Sequence, residues 1–133
     1  MKTQTPSRPV VTALRRRIRQ FYRHLNDREF DKCYMTLDPA LRDVPTSITE
    51  FQYTSNLERY RDENGEIVIR DIDDVQLHLD EPNRLYNNRD FTLAQLVWED
   101  GSGKQRTFKE RWVRDQRGRW FTRCTGLVSD KKD

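Results

Sequence analysis

Glu110 and Arg123 are the two side chains of this 133-residue chain whose types and spacing best suit chemistry. They lie in alternating stretches, 104–114 and 119–128, separated by Asp115-Gln116-Arg117-Gly118. A carboxylate facing a guanidinium inside an apolar enclosure closes that interior as an ion pair, or forms the polar floor of a cavity that orients a small polar-headed ligand. An unpaired charge there would be costly. A third stretch, 91–99, precedes Asp100-Gly101-Ser102-Gly103 and adds Gln95 to the same floor. With both connections read as four-residue hairpin loops, Glu99 faces Lys104 and Arg114 faces Arg119, so Glu110 lies opposite Leu93 and Arg123.

Successive strand residues point to opposite faces, and this sorts the side chains into two sets. Phe91, Leu93, Gln95, Val97, Phe108, Glu110, Trp112, Phe121 and Arg123 form a mostly apolar set, expected under the helices, with Trp112, Phe108 and Phe121 as walls. Leu96, Trp98, Arg111, Val113 and Trp120 fall in the other set. Aromatic residues and arginine together are the composition of an interface, so this face is expected to form a homodimer.

Other chemistries find little support. His78 is flanked by Leu77 and Leu79 and reads as surface, and His24 as a solvated helical residue. Cys33 and Cys124 are far apart without a CxxC pairing and read as buried thiols. No metal-ligand spacing, phosphate-cradling glycine loop or nucleophile with an adjacent base occurs, so neither a cofactor nor a metal is implied.

The elements that must hold Glu110 and Arg123 follow from periodicity. Residues 1–11 read as a flexible leader, 12–128 as one domain and 129–133 as a charged tail. After Thr12, Leu14, Ile18, Phe21, Tyr22 and Leu25 recur at helical spacing, with arginines 15, 16, 17, 19 and 23 over the rest of the surface. A second helix carries Phe30, Cys33, Tyr34 and Leu37 and stops at Asp38-Pro39. Ser47 and Glu50 have the capping-box spacing that opens a third, with Phe51, Leu57 and Tyr60 on its apolar face. Beyond Gly65 the period falls to two over 67–79, with an irregularity expected near Ile72-Asp73-Asp74, and three further strands follow. Three helices before an antiparallel meander make the fold class α+β.

Composition bounds the function. Hydrophobic residues are 34%, charged residues 35%, and mean hydropathy is −1.05, yet net charge is only +3 and aromatics reach 11%, which argues for a folded chain over disorder. Residues 1–26 carry Lys2 and six arginines with no acid, whereas 62–100 carry eleven acids against three arginines. Such blocks neutralise one another within the fold or across a dimer, and nucleic acid is not expected as the partner. The apolar runs are too short for a membrane span or a signal peptide, so the expected location is cytoplasmic.

The helix order, the LNDREFDKCYMTLDP junction and the ERWVRDQRGRW meander resemble the nuclear transport factor 2-like superfamily, which includes ketosteroid isomerase and SnoaL-like cyclases. The resemblance spans roughly 12–128 and implies a cone-shaped fold with a curved sheet, a cystatin-like α+β roll, around a pocket, and dimerisation through the outer sheet face. It places the isomerases' oxyanion-binding carboxylate on Glu110, their oxyanion tyrosine on Phe21, and their general base near Asp38 or Asp43. Phe21 cannot donate a hydrogen bond. The first expectation is therefore a binding module, for a small hydrophobic ligand with a polar head or for a protein. An isomerase, dehydratase or cyclase using Glu110 as acid or base is the alternative, and nucleic-acid binding through the basic faces is third.

Overall fold

The computed structural model describes residues 2–4, 7–42, 49–79, 91–115 and 117–123. Its elements run β1 (Lys2–Gln4), α1 (Arg8–Asn26), α2 (Phe30–Tyr34), α3 (Pro39–Arg42), α4 (Glu50–Asn64), β2 (Val68–Leu79), β3 (Phe91–Glu99), β4 (Gln105–Arg114) and β5 (Trp120–Thr122). The fold is α+β, as expected, with an open antiparallel sheet in the order β1-β2-β3-β4-β5. No helix among the described residues is long and apolar enough to cross a membrane.

Two short elements were not anticipated. Lys2–Gln4 pair with the far end of β2, and α1 begins at Arg8, so the stretch expected to be a loose leader carries structure. Pro9 fits the first helical turn because its missing N–H would have no intrahelical partner there. The single-turn α3 follows Pro39. Downstream, the capping box that opens α4 uses Thr49 and Gln52: Thr49 Oγ1 accepts from Gln52 N and Gln52 Oε1 accepts from Thr49 N, both 3.1 Å. The expected Ser47 lies outside the described residues.

Helix α1 buries the five predicted residues, Leu14, Ile18, Phe21, Tyr22 and Leu25, against the sheet. Its C-terminus is tied to the start of β2 by Asn26, whose side chain donates to Ile67 O (2.7 Å) and accepts from Ile67 N (2.8 Å), copying a strand pair. On the far side, Thr36–Asp38 run parallel to β5: Thr122 N donates to Thr36 O and Thr122 O accepts from Asp38 N, each 2.9 Å. The chain after α2 thereby covers the sheet edge.

The two hairpins differ from expectation in one respect with large consequences. Asp100 N donates to Lys104 O (3.0 Å) and Asp115 N to Arg119 O (2.9 Å), so each aspartate closes the ladder and three residues remain in each loop. Asp100 Oδ1 accepts the N–H groups of Ser102 and Lys104, and Asp115 Oδ1 those of Arg117 and Arg119. Gly103 (φ +90) and Gly118 (φ +82) supply the left-handed residue such loops need. Glu99 therefore pairs with Gln105 and Arg114 with Trp120, one position from the four-residue reading.

A one-residue slip turns a strand over relative to its neighbour. Glu110 and Trp112 do face the helices, but Thr92, Ala94, Leu96 and Trp98 join them there, while Leu93, Gln95 and Val97 point away. Leu96, Trp98 and Trp120 are core residues packed with α1 and α4, not the outer surface expected to form a dimer. Of the expected interface, Arg111 is exposed on the outer face, and Val113 is buried against Phe121.

Candidate functional site

Glu110 stands at the centre of the inner face, only 4% exposed. Its Oε2 accepts from the Tyr22 hydroxyl at 2.5 Å and its Oε1 from the Trp112 indole Nε1–H at 2.9 Å. Trp112 reaches it from two residues along β4, on the same face, and Tyr22 from α1 above. Phe21 closes the group, with its ring edge-on to Tyr22 (5.2 Å between centroids) and to Trp112 (6.4 Å). The structure thus brings together Glu110, Trp112 and Phe21 from the expected set and adds Tyr22.

The carboxyl has no basic partner among the described residues. Burial pushes it up from the usual glutamate range, against the smaller opposing pulls of the Tyr22 and Trp112 hydrogen bonds. One more polar group belongs to this face: Thr92 Oγ1, across from Trp112, is buried without a hydrogen-bond partner among the described residues.

No family model, curated protein or solved structure matches this chain.

Arg123 does not meet Glu110. Its backbone N–H donates to Arg111 O (3.0 Å), which gives it the parity of Arg111 on the other face, and its guanidinium donates to Asp38 Oδ2 at 2.8 Å. Asp38 is 1% exposed, and its second oxygen accepts the Ala40 N–H at 3.1 Å. The ion pair that sequence reading assigned to Glu110 is therefore formed by Asp38, where it clamps the turn before α3 to β5. A carboxylate so engaged is a structural partner before it is a base. Gln95 lies on the outer side, opposite Lys109, and Phe121 packs on Val113, so neither lines the group around Glu110. The side chains of Phe108 and His78, and residues Asp43 and Cys124, lie outside the described residues.

The remaining expected groups resolve simply. His24 is not free in solvent: its Nδ1 is 2.9 Å from Glu29 Oε1. Cys33 is buried as expected, and burial pushes its thiol up to about 12, far from a reactive thiolate.

Sequence reading named Tyr22 only as an apolar helix residue and Asp38 only as a helix end and a position near the isomerases' general base, and missed the partners of both, Glu110 and Arg123. The signal for Tyr22 was the width of the α1 apolar face: adjacent Phe21 and Tyr22 are both inside it, and a buried phenol needs a hydrogen-bond partner from the facing strand. The signal for Asp38 was its place before Pro39, at a chain reversal that must be held against something.

Proposed function

We propose that this chain is a small-ligand-binding domain of the nuclear transport factor 2-like kind, in which a protonated Glu110 and Tyr22 present a hydrogen-bonding pair to one oxygen of an apolar molecule. The observation that carries the reading is the partnership at Glu110: a buried carboxyl held by two neutral donors, with no cation among the described residues. Structural carboxylates that are this buried are usually charged and matched by a cation, as Asp38 is here. A carboxylic acid beside a phenol can instead exchange their mutual hydrogen bond for two donors to an entering oxygen that carries or gains negative charge, the Tyr22 O–H turning to it from Glu110 Oε2. The orphaned Thr92 hydroxyl adds a polar atom on the same face. Helices preceding an antiparallel sheet that packs on them suit the cone-shaped roll of that superfamily, and Tyr22 takes the donor role that Phe21 cannot. Proton donation by Glu110 in an isomerase or dehydratase step is the catalytic form of the same reading.

The test is titration with 2-naphthol, an apolar aromatic with a single hydroxyl, followed by the indole Nε1–H resonance of Trp112 and the side-chain carboxyl carbon of Glu110. The expected result is a saturable shift at Trp112, weakened at least about tenfold in Tyr22→Phe, since a hydrogen bond to a charged or charge-gaining group contributes about 1.5–3 kcal/mol. The Glu110 carbon should titrate above the ordinary glutamate range. No saturable shift, or a carboxyl titrating at or below that range, overturns the proposal.

A further inference from the structure

Away from Glu110, the N-terminal half of α1 and the β4–β5 turn enclose a groove of ≈ 270 Å³. Three guanidiniums line it, Arg16 and Arg17 from α1 and Arg119 from the turn, together with Gln20, Gly118 and Trp120. Arg17 is half-buried and unlike a solvated surface arginine. Its Nε donates to Trp120 O (3.1 Å), its Nη1 to Gln20 Oε1 (2.7 Å), and its guanidinium carbon lies 6.0 Å from the Phe121 ring centroid. Every one of these partners is neutral. No carboxylate among the described residues pairs with it, and Arg119 flanks the same ring at 5.9 Å. Burial and the nearby Arg119 both work against the charge on Arg17.

A desolvated cation facing a second cation is an arrangement that an anion would relieve. The charge of that anion follows from the local balance. Arg16, Arg17 and Arg119 contribute three positive charges. Asp115 returns one, through its 2.8 Å contact with Arg119 Nε, and most of its oxygen capacity is spent on the turn. Two positive charges remain. A monocarboxylate neutralises one of them; a phosphate monoester carries ≈ −1.5 to −2 near neutrality and offers three oxygens to forked guanidinium donors. The concave shape and the neutral anchoring of Arg17 favour a compact anion over an extended backbone.

We propose that this groove is an anion site for a phosphate monoester, with Arg17 as its half-buried anchor and Arg16 and Arg119 as the outer guanidiniums. The groove shares no lining residue with the group of Glu110, Tyr22, Trp112 and Phe21, and it does not require the ligand proposed there.

The experiment is a titration of the full chain with inorganic phosphate, at ionic strength held constant with chloride, read at the backbone amides of Gly118, Arg119 and Trp120. Saturable shifts confined to those amides and the adjoining α1 residues are expected. Arg16→Gln and Arg119→Gln, both exposed, should each weaken binding at least about tenfold, as for loss of a charge-assisted hydrogen bond, while Glu110→Gln and the distant Arg23→Gln leave it unchanged. The same spectra report whether each variant is folded. An absence of saturation, equal shifts with acetate, or no loss in either groove variant overturns the proposal. So does tighter binding of a single-stranded oligonucleotide with Arg23→Gln as damaging as Arg119→Gln, which would make the helix face a polynucleotide surface.

Discussion

Replacing Glu110 by glutamine should change the pH dependence of stability more than stability itself. Glutamine keeps an oxygen for the Trp112 indole N–H and sets an amide against Tyr22, where the bond reverses so that the phenol oxygen accepts, so the variant still partners both groups without a titratable proton. Burial raises the folded-state value of Glu110 above the unfolded one of about 4.3. Between those two values the native state holds a proton that the unfolded chain has released. Stability then falls as pH rises, because the native state is the one that binds more protons. For one group the limiting slope is about 1.4 kcal/mol per pH unit, beginning near the unfolded value and levelling off above the folded one. Urea unfolding followed by tryptophan fluorescence from pH 4.5 to 8.5, on both proteins, isolates this effect in the difference between them. Glu29, Glu99, Asp100 and Asp115 are all held below their usual ranges by hydrogen bonds, led by His24, Arg70, Ser102 and the Arg119 backbone respectively. Their contributions are present above their unfolded values, are lost at lower pH, and are common to both proteins. A difference that stays flat, or that favours the wild type increasingly as pH rises, would show a charged Glu110 and refute the reasoning.

Arg123→Met strands the Asp38 carboxylate in the interior and should cost about 3–5 kcal/mol by urea unfolding. Asp38→Asn combined with Arg123→Met should recover a large part of that, whereas simple additivity of the two single losses would mean that the pair is not the unit. Gly118→Ala should cost about 1 kcal/mol through backbone strain alone, since its φ is +82 and nothing lies within 4 Å of the added carbon. Gly101→Ala should cost more in the same assay, because its new carbon would sit 3.1 Å from Asn64 O, the acceptor of its own N–H.

The strongly periodic elements were legible. Helix α1 shows it best: five apolar positions at helical spacing are the five it buries, because a single amphipathic face leaves few ways to pack. The strands 91–99 and 104–114 were placed within a residue of their observed bounds, and the irregularity expected near Asp73 is there as a shift in register between Asp73 and Gln76. The elements that periodicity missed are those too short to have a period. Lys2–Gln4 and Pro39–Arg42 exist because a neighbouring strand or a preceding turn holds them, not because their own sequences demand it.

The candidate site was half legible, and the failure traces to Asp100 and Asp115. Counting each aspartate as a loop residue is reasonable from turn propensity. Both instead use the backbone to close the ladder and the carboxylate to hold the loop, a pattern repeated in Asp100-Gly-Ser-Gly103 and in 115–118 with glycine at the third position after the acid. Reading that spacing as a three-residue loop with a left-handed glycine would have given the observed register.

That single position decides the chemistry of Glu110. In the four-residue register Arg123 would face it, and an adjacent guanidinium would hold the carboxyl charged and low. In the observed register Arg123 passes to Asp38, and strand alternation leaves Glu110 with what its own face provides, an indole and a phenol. Neither can neutralise a carboxylate, so the favourable way to keep this group in the core is to leave its proton on. The turn chemistry of two exposed loops thus reaches the interior through register. It sets Asp38, which Arg123 ties to the chain after β5, apart from Glu110, whose buried carboxyl is held by neutral donors alone.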